Sequence, residues 1–588
     1  MYYFNYDIVI IGAGGAGLTA ALYAKEQGMS VAVISKVHPL HSHTSAAQGG
    51  INAALGTSAP DDWRWHMYDT VKGSDWLGDQ DAIELLCKSA PDAIAMLEKW
   101  GTHFDRNERG VFEQKIYGGQ TMDFGKGGFA KRVCAVADHT GDAIMHALYT
   151  RSIEAGVVYF NYNYAIDLLM KNGSSYGVSC LDLENGKINI IRASYVIIAT
   201  GGYSQIYQTS TSSSICSGDG NGLIFRAGLP LQDMEFVQFH PTAMYKVGVL
   251  ITEAARALGG KLINGDGQRF MARYAPNLME LACRDVVARA ISTEISQGRG
   301  CGSNKDHVLL DLTHLSRESM LKHLPTVLEN CRQFLGLDPA QVAIPIAPAA
   351  HYTMGGIPTN INCQVVDIDK NYTEKAVNGL YAIGEAACIS VHGANRLGCN
   401  SLLDLVVFAR VAIDHIVSDF GAMAILNDLE LGIKNRLDCC LHNDGVAQNI
   451  FSITELKAEL KGFMSKNVGL FRTKELLEIG IQALKEIRLK FEKIRAQDDS
   501  LQWNNELIEY LEFENLLISA EVTTHAALMR HESRGAHYRE DFPRRDDELF
   551  MYHSIVKKNA INGFSYFQRK VRLNTQSVDF FPPENRNY

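Results

Sequence analysis

Cysteine is scarce and scattered in this sequence: 12 cysteines lie among 588 residues, none spaced C-x-x-C, with one adjacent pair at Cys439 and Cys440. Structural zinc sites and iron–sulfur clusters need cysteines at close, regular spacing. The sequence therefore predicts no zinc site, no cluster and no other metal site. Isolated cysteines of this kind are typical of small buried thiols in a reducing compartment.

Long apolar runs are also missing. The best charge-free stretch, residues 8–24, is interrupted by four glycines, which indicates a strand, a turn and a helix rather than a membrane span. Because the first strand begins close to Met1, we expect no signal or transit peptide, so the chain is made where it works or is a mature form. A net charge of −10 disfavours a nucleic-acid surface, and we expect no nucleic-acid partner.

The glycines present near the N-terminus form a pattern. Gly12, Gly14 and Gly17 make a G-x-G-x-x-G turn between an apolar strand and a helical run, and a second strand follows at Val31–Ser35. This order is typical of a dinucleotide-binding unit with a pyrophosphate at the helix N-terminus. The second strand ends in Ser35 and Lys36 instead of the acid that usually binds ribose, so the glycines alone do not prove the cofactor.

Later segments complete the predicted architecture. Buried strands at residues 193–200 and 379–385, the second followed by a helix over 401–413, belong with the N-terminal unit. The sequence predicts an α/β fold: a Rossmann-like FAD-binding domain with an inserted α+β capping domain, then a helical bundle and a C-terminal domain. The predicted boundaries are 1–225 and 345–415 for the FAD domain, 226–344 for the cap, 420–530 for the bundle and 531–588 for the last domain.

Two local patterns refine the C-terminal part. Ser452 and Glu455 stand at capping-box spacing before an apolar helical run. The segment from Arg530 to Tyr588 loses helical periodicity and is rich in charged and aromatic residues. We expect this segment to run over the surface or against a partner.

Polar residues cluster on loops that flank the predicted cap. His240, His351, Arg396 and Thr252 together suit a small dianion, because a guanidinium fork and several shorter donors match two carboxylates. Glu253 and Arg256 are three residues apart and share a face if helical. Arg284, flanked by carboxylates, belongs either to a buried salt-bridge network or to a proton relay, and the residue pattern leaves both open.

His43 and Glu385 point to the cofactor. His43 lies on the loop that follows the second strand, along the expected course of the cofactor, where an imidazole can bond covalently to a flavin ring. Glu385 lies at a second strand-to-helix turn, where a carboxylate suits the ribityl or ribose hydroxyls of FAD.

These motifs together resemble the succinate dehydrogenase flavoprotein family, from about residue 5 to the C-terminus. The matching segments are Ser42-His43-Thr44 with Ala47-Gln48-Gly49-Gly50, residues 69–75, Gly118-Gly119-Gln120, His240-Pro241-Thr242, residues 284–289, residues 392–396, residues 532–537 and residues 541–543. The resemblance implies oxidation of succinate to fumarate, with FAD bonded to His43. It also implies an iron–sulfur subunit, membrane-anchor subunits and quinone as partners.

The same resemblance assigns residues to roles. Arg284 would transfer the proton, with Glu253 and Arg256 as relay, and succinate would contact His240, Thr252, His351 and Arg396. FAD would contact Gly12, Ala13, Gly14, Gly15, Ala16, Gly17, Ser35, Lys36, His43, Thr44, Ser45, Gln48, Gly49, Gly50, Asp219, Glu385, Ser401 and Leu402. The implied location is peripheral, on the cytoplasmic face of the bacterial inner membrane, or the matrix side of the mitochondrial one for a mature eukaryotic form.

Three other functions compete with this prediction. A quinol-linked fumarate reductase flavoprotein is the nearest, and Gln48 disfavours it because that family usually has Glu there. L-aspartate oxidase and unlinked fumarate reductase lack the flavin-linking histidine. A flavin-carrying assembly or electron-transfer protein would not need the intact dicarboxylate set. The sequence departs from the family at Lys115, Tyr117, Ala257, Leu258 and Cys399, and none of these removes a predicted catalytic position.

Overall fold

The computed structural model describes residues 1–369, 372–421, 436–437, 440–441, 451–559 and 563–586. Its strands are β1 Tyr2–Ile11, β2 Val31–Ser35, β3 Ile51–Asn52, β4 Lys115–Thr121, β5 Phe129–Cys134, β6 Val158–Asn161, β7 Asn163–Lys171, β8 Ser174–Asp182, β9 Lys187–Ile198, β10 Leu231–Gln232, β11 Val237–Met244, β12 Lys261–Ile263, β13 Val308–Asp311, β14 Ile344–Thr353, β15 Ile357–Pro358, β16 Gln364–Ile368, β17 Glu374–Ala382, β18 Ala387–Cys388, β19 Tyr552–Lys558 and β20 Phe564–Lys570.

The α-helices are α1 Gly15–Glu26, α2 Trp63–Gly73, α3 Gln80–Lys99, α4 Thr140–Glu154, α5 Asp219–Arg226, α6 Glu253–Ala257, α7 Arg284–Ser296, α8 Arg317–His323, α9 Pro325–Asn330, α10 Asn400–Ser418, α11 Ile453–Asn467, α12 Lys474–Phe491 and α13 Asn505–Met529. Within the described ranges, none of the helices combines the length and the apolar character that a membrane span requires.

An eight-stranded sheet forms the base of the molecule, in the order β16-β17-β8-β9-β1-β2-β6, with β7 paired to β8. Strands β6, β2, β1, β9 and β17 run parallel. β2 is buried along its whole length, as its Val-Ala-Val-Ile sequence predicts for a strand covered on both faces. Parallel strands place their carboxyl ends, and the loops that follow them, at one edge of the sheet.

A second, antiparallel sheet β11-β14-β13-β12 lies in the predicted cap. β11 and β14 pair along most of their length, with irregular register around His240. This pairing brings the loops and helix starts of the cap to the carboxyl edge of the large sheet. The predicted fold class is confirmed, while the residue boundaries of the domains stay predictions.

The helical layer follows α10. Ser452 and Glu455 form the predicted capping box at the start of α11, since Ser452 Oγ accepts from the Glu455 N–H and the Glu455 side chain accepts from the Ser452 N–H. α11, α12 and α13 pack around a shared apolar core. Most of the predicted helical segment between residues 422 and 450, including Cys439, lies outside the described residues.

The segment after Arg530 differs from its prediction. Arg530, Arg534 and Arg539 have fully buried side chains, and β19 pairs with β20 and with β10. Each buried guanidinium is paired with carboxylates, as Arg530 is with Glu235 at 2.7 Å. The prediction that this segment runs over the surface or against a partner is wrong for most of residues 530–539, which are buried, whereas residues 540–544 are exposed. The buried charges are balanced by carboxylates close in sequence, such as Glu532, and by one far away, Glu235.

Candidate active site

One cavity joins the carboxyl edge of the large sheet to the cap. Its walls come from the glycine turn before α1, the 3₁₀ turn at His43–Ala46, and the starts of three helices, α6, α7 and α10. The cavity therefore has two ends, a glycine-lined one and a charged one.

The glycine-lined end fits the pyrophosphate of FAD. Gly12 has a φ of +111°, and a Cβ there would lie 2.2 Å from the carbonyl oxygen of Ala199. A Cβ at Gly17 would lie 1.9 Å from the carbonyl oxygen of Gly12, so α1 packs directly on the turn. The N-cap of α1 is Gly14, which has no side chain to cover the first N–H groups. These N–H groups and the helix dipole suit an anion.

Lys36 replaces the usual acid at the end of β2 and is held by carboxylates. Its Nζ lies 2.8 Å from Asp219 and 2.5 Å from Glu512, which belongs to α13. Burial alone would lower the pKa of Lys36, but these two carboxylates outweigh burial and raise it. Asp219 has a lowered pKa because Lys36 outweighs the effect of burial, so both groups stay charged beside the cavity.

His43 lines the cavity with a neutral ring. Burial, with a smaller effect of the Arg396 charge, lowers the pKa of His43 to about 4. Its Nδ1 accepts a hydrogen bond from the Ser213 N–H at 3.2 Å. Because Nδ1 accepts this hydrogen bond, the proton of the neutral ring lies on Nε2, and Nε2 can react only as it gives up that proton.

Two further groups face the cofactor end. Glu385 accepts from the Thr353 N–H at 2.9 Å, and burial raises the pKa of its carboxyl to about 7. α10 begins at Asn400, one residue before Ser401 and Leu402, both of which line the cavity. The N-terminus of this 19-residue helix is a source of positive potential at the cavity wall.

The charged end of the cavity contains the predicted dicarboxylate set. The His240 and His351 rings meet edge to face with centroids 4.9 Å apart. His240 Nδ1 accepts from the Thr242 N–H at 3.2 Å, and His351 Nδ1 pairs with the Thr211 hydroxyl at 2.7 Å. Burial and the nearby arginines lower the pKa of His240, and burial and His240 lower the pKa of His351. Both rings are therefore neutral at pH 7.

Arg284 and Arg396 lie close together and share one hydrogen-bond acceptor. Gln238 Oε1 accepts from Arg284 Nη1 at 3.2 Å and from Arg396 Nη2 at 3.3 Å. Arg396 also stacks over the Tyr352 ring at 4.4 Å and donates to Ser401 Oγ. Burial, followed by the charge of Arg284, lowers the pKa of Arg396 to about 10. Burying two positive charges this close together is costly, and a bound anion would offset that cost.

Glu253 connects Arg284 to Arg256. Its Oε2 accepts from Arg284 Nε at 3.0 Å and lies 3.5 Å from Arg256 Nη2, while its Oε1 accepts from the Gly118 N–H at 2.8 Å. Burial alone would raise the pKa of Glu253, but Arg256 and Arg284 outweigh burial and lower it. As predicted from their spacing, Glu253 and Arg256 share the short helix α6.

The structure brings most of the predicted site residues to this one cavity, with three exceptions. Gly17 lies in the packing of α1 on the turn, Ser45 Oγ turns away to the carbonyl oxygen of Leu40, and Arg256 lies behind Glu253. The other predicted residues line the cavity. Their roles as ligands or catalytic groups stay predictions.

Sequence reasoning missed Gln238 and Tyr352. Gln238 stands two residues before His240 on β11, so strand alternation places both side chains on one face. The two-residue period of a strand could therefore have identified Gln238 from the sequence. Tyr352 follows His351 on β14, where the register with β11 is irregular, and only the fold brings Arg396 over its ring.

Comparison with known proteins shows which family the chain belongs to. The family model described as FAD binding domain matches residues 7–402, and that described as Fumarate reductase flavoprotein C-term matches residues 457–588. The chain is 49% identical over 590 residues to the succinate dehydrogenase flavoprotein subunit of Rickettsia bellii, covering 99% of this chain and 98% of the relative.

Two further relatives agree with this match. The mitochondrial succinate dehydrogenase [ubiquinone] flavoprotein subunit of Oryza sativa is 47% identical, with 99% of this chain and 93% of the relative covered. A structure of E. coli quinol fumarate reductase superposes with a TM-score of 0.92 at 34% identity, covering 100% of this chain and 99% of that one.

Proposed function

Because the chain belongs to the succinate dehydrogenase and fumarate reductase flavoprotein family, we propose that it is the catalytic flavoprotein subunit of a succinate dehydrogenase. It binds FAD and oxidises succinate to fumarate in the tricarboxylic acid cycle. One observation carries this function: a single cavity joins the glycine turn of an FAD site to a buried pair of arginines with two neutral histidines. That pairing of a flavin site with a dianion site matches the reaction.

Succinate is held at the charged end. Arg396 receives one carboxylate, because its buried guanidinium has no carboxylate hydrogen-bonded to it among the described residues. Neutral His240 and His351 and the Thr252 hydroxyl act as short donors, and Nδ1 of each histidine already has a partner, so each Nε2 faces the ligand. His240, Thr252 and Arg396 are buried, which strengthens their electrostatic contacts.

Bound FAD supplies the hydride acceptor for one methylene of succinate. Arg284 takes the proton from the other methylene and passes it to Glu253. Free arginine is a poor base because its pKa lies above about 12. The 3.0 Å hydrogen bond from Nε to the Glu253 carboxylate supports the role, because that carboxylate can accept a proton as the guanidinium gains one.

An Arg284→Gln variant tests this function. It keeps a polar side chain of shorter reach but cannot take the proton, so succinate oxidation should fall by at least about a hundredfold. Flavin content should remain at the wild-type level, because Arg284 lies at the charged end of the cavity. Arg317→Gln, an exposed substitution in the same cap, is the matched control and should leave turnover unchanged. Retained turnover in Arg284→Gln would assign the proton transfer to another residue.

We also propose that FAD is bonded covalently to His43. The neutral ring and the occupied Nδ1 support a bond through Nε2, which would replace the N–H bond at that atom. Acid denaturation followed by gel fluorescence tests the link: flavin should migrate with the wild-type chain and be absent from the His43→Ser chain. Free flavin in the wild-type sample would contradict the bond while leaving FAD binding itself intact.

The remaining partners follow from the relatives, which are named as subunits. We propose that an iron–sulfur subunit takes the electrons from the flavin and that membrane-anchor subunits pass them to quinone. The chain then lies at the cytoplasmic face of a bacterial inner membrane, or on the matrix side in a mitochondrion. Co-purification of the tagged chain from membranes, with iron analysis of the complex, tests this assembly.

A further inference from the structure

A proton relay that stopped at Arg256 would not reach solvent. Its side chain is fully buried, and its Nε has no hydrogen-bond partner among the described residues. A proton that reaches Glu253 and Arg256 on each turnover must still leave the protein. The next group outward from Arg256 is Glu280, in the 3₁₀ turn Met279–Leu281 just before α7.

Glu280 contacts Arg256 with its main chain and attracts it with its side chain. Arg256 Nη1 donates to the carbonyl oxygen of Glu280. The Glu280 carboxylate is close enough to act on the charge of Arg256, after the stronger effects of burial, Glu253 and Arg284. The carboxylate itself is only 3% exposed, so it does not reach solvent directly.

Arg269 lies between Glu280 and solvent. It donates two hydrogen bonds to the Glu280 carboxylate, from Nε at 2.8 Å and from Nη2 at 2.6 Å. The Arg269 side chain is 44% exposed. The Leu262 N–H also donates to Glu280 Oε1, at 3.2 Å. Arg269 and the Leu262 N–H therefore hold this carboxylate, while Arg256 contacts the main-chain carbonyl of the same residue.

We propose that Glu280 is a positioning residue that acts through Arg256 and forms the outer end of the proton relay. This inference rests on the proposed function, because it assumes that protons reach Arg256 from Arg284 through Glu253. On each turnover Arg284 gains one proton from succinate and gives it to Glu253. Arg256 accepts that proton and releases another toward Glu280. Glu280 passes it to Arg269, whose half-exposed guanidinium releases one proton to solvent as it gains one, so every group ends as it began.

The test compares Glu280→Gln with Glu294→Gln in the assembled enzyme. Glu294 is a matched control: its carboxylate is fully buried in the same cap and clamped by Arg273 and Arg299, but its side chain is bonded to neither Arg256 nor Glu280. Succinate-dependent reduction of a soluble dye is measured across pH. We expect Glu280→Gln to lower kcat by about tenfold and to change the pH profile of kcat, with KM within about twofold.

Two further variants keep the proposal falsifiable if Glu280→Gln folds poorly. Glu280→Asp keeps the carboxylate and should restore most of kcat, whereas Arg269→Gln alters only a half-exposed side chain and should lower kcat in the same direction. Single-turnover reduction of the flavin by succinate should stay fast in Glu280→Gln, because the first proton can remain on Glu253.

Two outcomes would overturn the inference. One is a wild-type kcat and pH profile in Glu280→Gln, which means that protons leave through the mouth of the cavity. The other is an equal change in Glu294→Gln, which means that losing any buried carboxylate of the cap has this effect. If Arg284→Gln retains turnover, the proposed function of the relay fails as a whole; if Arg284→Gln is inactive and Glu280→Gln is normal, only the outer end fails.

Discussion

At the scale of single residues, the proposed proton transfer depends on how tightly Glu253 is held. Gly118 on β4 donates its N–H to Glu253 Oε1, and a Cβ added there would lie 2.5 Å from that oxygen and 2.9 Å from the carbonyl oxygen of Leu281. Overpacking at such a position costs about 1–3 kcal/mol and shifts the neighbouring side chain. We therefore expect Gly118→Ala to lower kcat for succinate oxidation by at least about tenfold, since small misplacements of reacting groups are costly.

The readout for Gly118→Ala combines steady-state kinetics with flavin content. Gly462→Ala on α11 is the matched control, because no atom lies within 4 Å of its added Cβ. Flavin content should be equal in both variants. A Gly118→Ala enzyme as active as Gly462→Ala would show that the position of Glu253 does not limit turnover.

At the scale of elements, the C-terminal end of α7 is anchored by one buried carboxylate. Glu294 accepts hydrogen bonds from Arg299, Asn264, Tyr274 and Arg273. Burial would raise its pKa, but these donors outweigh burial and lower it to about 2. A depressed pKa means that the stabilisation is fully present above the ordinary pKa of about 4.5 and is lost as the pH falls through about 2.

Glu294→Gln should therefore destabilise the cap in a pH-dependent manner. At pH 7 we expect a loss of about 1–3 kcal/mol, because charged partners lose their acceptor. The difference in Tm between the variant and wild type should shrink as the pH falls below about 4. Thermal unfolding at several pH values measures this, and a difference that grows on acidification would contradict the assignment of the charge.

Much of this element-scale structure could be predicted from local sequence. The glycine turn, the strand Val31–Ser35 and the capping box at Ser452 are local patterns, and the structure has each of them. The helix at Glu253 is only five residues long, too short for periodicity, yet the spacing of Glu253 and Arg256 was sufficient. Gln238 was missed because an amide that bridges two arginines has no sequence signal beyond strand alternation.

At the scale of the whole molecule, buried ion pairs join parts of the chain that are far apart in sequence. Asp75, at the end of α2, pairs with Arg545 at 2.8 Å and Arg586 at 3.2 Å, and its carboxylate also accepts from the Gly535 N–H. Sequence could not predict this junction, because about 460 residues separate the partners. Arg530 is buried for a similar reason, since its partner Glu235 lies 295 residues away in sequence.

Asp75→Asn should loosen this junction. Asparagine tolerates the φ of +54° at this position, so the variant tests the charge and not the backbone. Removing one partner of a buried ion pair costs about 3–5 kcal/mol. The expected result is a lower Tm and faster proteolysis after residue 530. Arg317→Ala, which breaks a largely exposed pair with Asp338, is the control and should cost less than about 1 kcal/mol. Equal losses in the two variants would contradict the account of the junction.

In the proposed function one cavity holds both a flavin and succinate, so the two react directly with each other. The most direct measurement is the absorbance of the purified, flavin-loaded enzyme when succinate is added without oxygen or any other electron acceptor. We predict that succinate bleaches the oxidised flavin band and that fumarate restores it. A flavin that dithionite bleaches but succinate does not would contradict the claim.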